Sequence, residues 1–217
     1  MDTLPANASL MDGIYQHQRH IYDLTRRYYL LGRNDLIAAL KPPSGGTVLE
    51  IGCGTARNLI LTAEHYPDAL LFGIDISSEM LKSADTMVSK SGIHDRVSLA
   101  QSDATRFDAA ELFSVPRFDR VFLSYSLSMI PGWEGALHQA IQAVAPGGEL
   151  HVVDFGQQTG LPNWFGKGLK TWLARFHVTP RQNLEPAMAA LAAEHRGQLT
   201  FSSIYRDYAR IGAIRLP

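Results

Sequence analysis

A short apolar run followed at once by two closely spaced glycines constrains the fold of this chain more than any other feature. Val48–Ile51 is apolar at every position but one, which predicts a short buried strand. Gly52 and Gly54 allow a turn too tight for side chains, and residues 57–65 have helical character. A strand, a glycine-rich turn and a helix form the first half of a nucleotide-binding βαβ unit, in which backbone amides approach the ligand closely.

The turn does not carry the fingerprint of a pyrophosphate-binding loop. A dinucleotide loop has the pattern G-x-G-x-x-G, and here Arg57 stands where the third glycine would be. Glu50, just before the glycines, would repel a diphosphate and suits a cationic ligand without phosphates. The alternative is an ordinary βα turn with two chance glycines, and the residues downstream decide between the two.

The pattern Glu50-x-Gly52-x-Gly54-x-Ala56 resembles the first motif of the class I S-adenosylmethionine-dependent methyltransferases, D/E-x-G-x-G-x-G. Alanine replaces the third glycine, which is a mild departure because alanine is nearly as small. The resemblance implies an α/β fold with a seven-stranded Rossmann-like methyltransferase sheet, helices on both faces and an N-terminal helical lid. It also implies S-adenosylmethionine as the cofactor and S-adenosylhomocysteine as the product.

The division of the chain follows from the same patterning. We expect a single methyltransferase domain over residues 1–217: a lid at 1–43, a cofactor-binding core at 44–160, an amphipathic helical segment at 161–197 and closing antiparallel strands at 198–217. Further strands are predicted at Ala69–Asp75, Arg96–Gln101, Phe118–Ser124, Glu149–Phe155, Gln198–Arg206 and Tyr208–Ile214. A helix from Trp133 to Ala145 is expected to stop at Pro146.

Acidic residues end the second and third predicted strands, at the edge where ligands bind in open α/β sheets. Asp75 can accept hydrogen bonds from two ribose hydroxyls, Ile76 can pack on adenine, and Asp103 can accept from the adenine amino group unless it only forms a turn. The predicted cofactor-binding residues are Tyr22, Tyr29, Arg33, Glu50, Gly52, Cys53, Gly54, Asp75, Ile76, Met80, Asp103, Ala104 and Ser124.

A helical pattern covers the lid from about residue 10 to residue 40, with a break near Gly32. Tyr22, Tyr29 and Arg33 share one face if the helix runs on. Arginine suits a carboxylate, and tyrosine rings suit a cation. The alternative is a surface helix in which the tyrosines only pack.

Composition and charge exclude several classes of protein. Of the 217 residues 46% are hydrophobic, which fits one domain with a full core, and 20 basic against 21 acidic residues argue against a nucleic-acid partner. Residues 41–162 hold 8 basic and 14 acidic side chains, whereas residues 163–217 hold 8 basic and 3 acidic. The lone Cys53 and the lack of a signal-peptide profile or spanning apolar run predict a cytoplasmic protein. The inner face of the membrane is the second expected location. The histidines show no metal-ligand spacing, so no metal is expected.

The region before the first strand narrows the resemblance. Its Tyr22-Asp23, Tyr29 and Gly32-Arg33 resemble the lid of the quinone C-methyltransferases. The longer string over residues 14–33 is more similar to the bacterial betaine-lipid N-methyltransferases, which trimethylate the amine of diacylglyceryl-homoserine. That resemblance implies a lipid amine as the acceptor. A quinone or other small molecule is the alternative, and a cofactor-binding protein without methyl transfer or an aminocarboxypropyl transferase is the alternative of another class.

An acceptor site for a repeatedly methylated amine needs aromatic faces and oriented oxygens rather than one strong base. Tyr15, His20, Tyr125, Ser126 and Trp133 are the predicted catalytic residues, expected to converge above the fourth strand. The stretch after that strand lacks the Asn/Asp-Pro-Pro-Tyr motif of the methyltransferases that act on nucleic-acid amino groups.

Residues 163–177 predict a helix with membrane-interface character. We expect Asn163 to cap it, and Lys167, Lys170 and Arg175 to lie off its apolar face. That face carries Phe165, Leu169, Trp172, Leu173 and Phe176. Contact with an anionic membrane is one interpretation, and packing against the sheet or a second copy is the other. The oligomeric state is left open.

Overall fold

The protein is described by a computed structural model that covers residues 30–176 and 178–217. Its helices are α1 Arg33–Leu40, α2 Arg57–His65, α3 Ser78–Lys90, α4 Ala109–Phe113, α5 Trp133–Gln142, α6 Asn163–Ala174 and α7 Leu184–Glu194. Its strands are β1 Thr47–Ile51, β2 Leu70–Asp75, β3 Val97–Gln101, β4 Phe118–Ser124, β5 Val144–Phe155, β6 Gln198–Ile204 and β7 Ala209–Arg215.

The strands form one seven-stranded sheet in the order β3-β2-β1-β4-β5-β7-β6. β1 to β5 are parallel to one another, and β7 enters antiparallel between β5 and β6. The chain reverses its direction of winding after β3, so the carboxyl ends of β1 and β4 lie side by side at the point where ligands bind in open α/β sheets. The predicted seven-stranded methyltransferase sheet with helices on both faces and the closing antiparallel pair are confirmed.

Alternation along the strands places a core on each face of the sheet. Val48 packs with α1, α2 and α3, whereas Leu49 and Ile51 pack with α5 and α7. All three side chains are fully buried. β1 is therefore apolar on both faces because helices cover both.

The predicted bounds hold best in the middle of the sheet. β4 begins and ends where the sequence predicts, α2 does too, and α1 begins directly after Gly32, which has φ 83°. The rest of the predicted lid helix lies outside the described residues. Among the described residues no helix is long and apolar enough to cross a membrane.

The helix expected over Trp133–Ala145 is shorter than predicted. α5 ends at Gln142, and Pro146 lies within the irregular start of β5 instead of stopping a helix. The reason is strand pairing: Phe118 N–H donates to the carbonyl of Ala143 and Val144 pairs with Phe118, after which the register shifts before Arg120. Pairing with β4 outweighs the local helical preference.

Asn163 does not cap α6, contrary to the prediction. Pro162 occupies the cap position with extended backbone, and Asn163 is the first helical residue. Proline here presets the entry into the helix without needing a side-chain hydrogen bond.

Asp207 fastens the loop after β5 to the hairpin between β6 and β7. Its Oδ1 accepts from Ser203 Oγ and Arg210 Nε, both at 2.9 Å. Its Oδ2 accepts from Gln157 N–H at 3.1 Å and Thr159 Oγ1 at 2.9 Å. Burial would raise the pKa of Asp207, but the hydrogen bonds from Arg210, Ser203 and Thr159 outweigh it and lower the pKa to about 2.

We predict that Asp207→Asn lowers the free energy of unfolding at pH 7 by about 2 kcal/mol, because a carboxylate with a depressed folded pKa stabilises the folded state. The stabilisation is complete above the pKa of the unfolded chain, about 3.9, and is lost as pH falls toward 2. Denaturant unfolding at pH 7 and pH 3 should show the difference between wild type and variant shrinking at the lower pH. Asp85→Asn, an exposed aspartate on α3, is the control and should show little change. A constant difference at both pH values would contradict the prediction.

Candidate cofactor and acceptor site

The backbone amides of the glycine-rich turn point to the neighbouring strand. Gly52 and Cys53 both donate to the carbonyl of Ile74, at 2.8 and 3.0 Å. Gly54 N–H donates to Oδ2 of Asp75 at 2.8 Å. A pyrophosphate loop keeps such amides for its ligand, whereas here the protein itself uses three of them. The turn therefore fits a ligand that does not bring a phosphate to it.

No side chain fits at Gly52. Its φ is 76°, and a Cβ built there would lie 2.7 Å from Cβ of Ser126. Ser126 in turn donates from Oγ to the carbonyl of Ile51 at 3.1 Å. The end of β1 and the segment after β4 thus touch through backbone and a small side chain, and glycine is required on sterics as well as on dihedral angle.

Ala56, which replaces the third glycine of the motif, is in the left-handed region with φ 61° and precedes α2. We expected the replacement to be mild because alanine is small, but size is not what matters at this position. The position demands a dihedral angle that costs an L-residue about 1–2 kcal/mol. The strain is carried by a buried residue directly beside the site.

The turn lies in a negative field. Glu50 is fully buried, and its Oε1 accepts from Nδ2 of Asn58 at 2.6 Å. Burial raises the pKa of the Cys53 thiol well above its ordinary value, and the nearby charges of Asp75 and Glu50 raise it further. Two carboxylates around an apolar thiol favour a cationic ligand.

Asp75 links the turn to the start of α3. Besides Gly54 N–H, it accepts from Ser77 N–H through Oδ1 at 2.9 Å. Ser77 Oγ caps α3 by accepting from Met80 N–H at 3.2 Å. A carboxylate offers about four acceptor positions, and the place of Asp75 at the end of β2 fits the predicted contact with ribose.

The other residues predicted around adenine lie nearby at strand ends and helix starts. Asp103 closes its own turn, with Oδ1 accepting from Thr105 N–H at 2.9 Å and Oγ1 at 2.7 Å. Ile76 is half-buried, and Met80 is buried against Met129 and Phe176. Ala104 is half-buried beside Asp103, and Ser124 is buried at the end of β4. Their contacts with a cofactor remain predictions.

The lid residues are only partly described. Tyr15, His20, Tyr22 and Tyr29 lie outside the described residues. Leu30 and Leu31 are not helical, and α1 begins at Arg33 after left-handed Gly32. The condition under which Tyr22, Tyr29 and Arg33 would share one face, a helix that runs on through Gly32, is therefore not met. Burial raises the pKa of the Tyr125 phenol well above its ordinary value, and the charge of the buried Arg33 nearby opposes that rise.

Tyr125 and Trp133 do not converge on one pocket as predicted. Tyr125 is buried in the core that contains α1, its ring centroid 4.6 Å from that of Phe155, and its hydroxyl donates to the carbonyl of Leu31. Trp133 packs in the core on the opposite face, with the guanidinium carbon of Arg181 5.8 Å from its ring centroid. Tyr125 thus joins the end of the lid segment to β4. The ring of Trp133 is already in contact with the guanidinium of Arg181.

Two residues that the sequence analysis missed hold the loop after β4. Asp154 Oδ2 accepts from Ser128 N–H at 2.9 Å, and Arg181 donates to the carbonyls of Leu127 at 3.0 Å and Ile130 at 2.7 Å. Burial raises the pKa of Asp154 to about 6, against hydrogen bonds that lower it. The sequence could have pointed to Asp154, because an aspartate is unusual inside an otherwise apolar strand. It could not have pointed to Arg181, because the partners of Arg181 lie some fifty residues away in the chain.

Buried polar atoms without a protein partner mark candidate ligand contacts. Among the described residues Arg57 Nε and Ser124 Oγ are such atoms. Arg57 directly follows the glycine-rich motif, which was the signal that could have added it to the predicted site. No group of three or more His, Cys, Asp or Glu side chains in the described part of the chain could hold a metal ion.

A family model described as "Methyltransferase domain" matches residues 48–148. The matched region begins at β1, contains the glycine-rich turn, β2, β3 and β4, and ends within β5. The match and the strand order together identify this part of the chain as a methyltransferase domain of the class I, S-adenosylmethionine-dependent type. S-adenosylmethionine, the cofactor predicted from the sequence, is the cofactor of that class.

Similar proteins share the domain at low identity. The demethylmenaquinone methyltransferase of Listeria monocytogenes is 29% identical over 133 residues, 61% of this chain and 54% of that protein. The trans-aconitate 2-methyltransferase of Azoarcus sp. is 27% identical over 118 residues, 54% of this chain and 42% of that protein. The chain thus spans about half the length of the curated relatives it matches.

A solved structure confirms the fold independently. Phosphoethanolamine N-methyltransferase 2 of Haemonchus contortus, in complex with S-adenosyl-L-methionine, superposes with a TM-score of 0.67 at 17% identity. The superposition covers 85% of this chain and 52% of that one. At this identity the similarity is one of fold.

We predict that Gly52→Ala lowers the affinity for S-adenosylhomocysteine at least about tenfold, because the new Cβ must displace either the turn or Ser126. Gly92→Ala is the matched control: its φ is also left-handed, at 68°, but nothing lies within 4 Å of the new Cβ. The control should lose stability of about 1 kcal/mol and keep its affinity. Calorimetric titration of both variants measures the difference. Equal affinities would show that the close approach at Gly52 does not matter for binding.

Proposed function

We propose that this protein transfers methyl groups from S-adenosylmethionine to the amine of a lipid head group, with diacylglyceryl-homoserine as the first candidate acceptor. The observation that carries the methyl-transfer part is the glycine-rich turn, whose amides bind Ile74 and Asp75 and which lies in the field of two carboxylates. Such a turn suits a nucleoside cofactor with a cationic centre. When bound, that cofactor supplies a methyl group activated on a sulfonium.

The chain supplies binding, orientation and exclusion of water. Asp75 would hold the ribose, and Ile76 and Met80 would contact the adenine. Arg33 and Arg57, both near the turn or the end of β4, are the candidates for the carboxylate of the cofactor. Phe176 and Met129 pack against Met80 and cover this end of the sheet, which favours a site closed to solvent.

A lipid amine is supported by two features of the sequence. The string over residues 14–33 resembles the betaine-lipid N-methyltransferases, and part of it, Leu30–Arg33, reaches the site through Tyr125. The segment that covers the site is free of acidic side chains from Gly156 to Leu184. A homoserine head group carries a carboxylate beside its amine, and a cationic surround suits that carboxylate.

A quinone ring is the second candidate acceptor. The Listeria monocytogenes relative, 29% identical over 133 residues, is a demethylmenaquinone methyltransferase. A protein that only binds the cofactor, or that transfers an aminocarboxypropyl group, is the alternative of another class.

We predict that Asp75→Ala weakens binding of S-adenosylhomocysteine by about 1.5–3 kcal/mol, the cost of losing hydrogen bonds to a charged acceptor. Asp75→Asn, which keeps one acceptor oxygen, should lose less. Asp85→Ala on the outer side of α3 is the control. Calorimetry at equal folded fraction, checked by circular dichroism, gives the affinities, and an unchanged affinity for folded Asp75→Ala would remove Asp75 from the site.

The acceptor is tested by incubating the protein with a bacterial lipid extract and methyl-labelled S-adenosylmethionine, then identifying labelled products by mass spectrometry. We expect label in mono-, di- and trimethylated diacylglyceryl-homoserine, and much less with Asp75→Ala when the cofactor concentration is limiting. A parallel reaction with demethylmenaquinone should give no labelled product. Label in the quinone alone would replace the first candidate by the second. An unlabelled product that gains the mass of an aminocarboxypropyl group, with the label left in methylthioadenosine, would replace methyl transfer itself.

A further inference from the structure

The outer side of α6 carries exposed aromatic rings that the fold does not use. The apolar stripe predicted for this helix turns largely inward, since Leu169, Trp172 and Leu173 pack in the core that contains α1. Trp164 is 76% exposed and Phe165 37% exposed. Their ring centroids are 5.9 Å apart and their planes nearly perpendicular, at 82°. The two rings form one apolar patch at the first turn of the helix.

Three cations follow this patch along the helix. Lys167, Lys170 and Arg175 are all exposed, and the ion pairs found in the described part of the chain do not include them. No aspartate or glutamate occurs from Gly156 to Leu184. At 3.6 residues per turn, Trp164, Lys167 and Arg175 project from the same outward side of the helix. A surface of this kind has no anionic partner within its own segment.

We propose that the outer side of α6 docks on an anionic membrane surface. Tryptophan is favoured at the depth of lipid head groups, and lysine and arginine are attracted to anionic lipids. Trp164 and Phe165 enter the interface, and Lys167, Lys170 and Arg175 lie among the head groups. The inward stripe of the helix stays in the protein, so docking is shallow and reversible, unlike the insertion of a free amphipathic helix.

Docking would bring the cofactor end of the sheet close to the bilayer. Phe176, just past the end of α6, packs against Met80 and Met129 at that end. The face that touches lipid and the face that covers the site are thus two sides of one helix. The proposal does not depend on which acceptor is methylated, because it concerns attachment alone.

The test is sedimentation of the full-length protein with vesicles of phosphatidylcholine containing phosphatidylglycerol, compared with vesicles of phosphatidylcholine alone. Neither contains a methyl acceptor, so failure of the acceptor proposal does not affect the result. We expect binding to the anionic vesicles only, weakened by added salt because exposed charges are screened. Binding of equal strength to both vesicles, or to neither, would overturn the proposal.

Variants locate the contact. Trp164→Ala/Phe165→Ala should reduce binding about tenfold or more, and Lys167→Glu/Lys170→Glu at least about tenfold, given about fivefold per cation lost. Met87→Ala, an exposed apolar residue on α3, and Lys90→Glu/Arg117→Glu, with the same change in net charge, are the matched controls and should stay within about twofold. Circular dichroism confirms folding. Unchanged binding by the α6 variants, or gel filtration showing that the patch holds two copies together, would assign the rings to another role.

Discussion

The close approach between Gly52 and Ser126 is the contact on which the rest of the site depends. It leaves 2.7 Å for a Cβ that glycine does not have, and it brings the carboxyl ends of β1 and β4 together. The same turn gives its amides to Ile74 and Asp75, so the end of β2 is held at a fixed distance too. Hydrogen bonds from the turn amides and from Ser126 Oγ, together with the close contact at Gly52, therefore position three strand ends. The ligand meets side chains more than free amides.

The acceptor side is held by contacts between distant parts of the chain. Asp154 holds the backbone of Ser128 from the sheet, and Arg181 binds the carbonyls of Leu127 and Ile130 from the covering segment. Tyr125 joins the same stretch to Leu31 at the end of the lid. The loop after β4 is thus the meeting point of the sheet, the lid and the covering segment.

The sequence predicts those parts of the fold that depend on local patterning. β4 and α2 have the bounds expected from apolar runs, and the cofactor residues Gly52, Gly54 and Asp75 lie together because carboxyl ends of parallel strands meet. Parts that depend on long-range contacts were missed. Pairing with Phe118 ends α5 early. Ala56 adopts a left-handed backbone conformation, which cannot be predicted from the small size of alanine.

The direction in which a side chain points was the second property that the sequence did not predict. Tyr125 and Trp133 follow the same strand, and sequence alone could not show that they enter cores on opposite faces of the sheet. The role of Arg181 could not be predicted, because the carbonyl groups that it binds belong to Leu127 and Ile130, more than fifty residues away in the chain. An amphipathic helix can also bury its apolar stripe in the protein core. In α6, Leu173 of this stripe is only 1% exposed.

The segment from Gly156 to Arg181 is fastened at its two ends, and this has a consequence for how such proteins diversify. Asp207 binds its first residues through Gln157 and Thr159, and its last residues bind the loop after β4 through Thr179 and Arg181. Between these anchors it contacts the domain mainly through one stripe. Outward residues can therefore be exchanged without disturbing the sheet, so that the surface to which the domain attaches can change during evolution while the cofactor site stays constant.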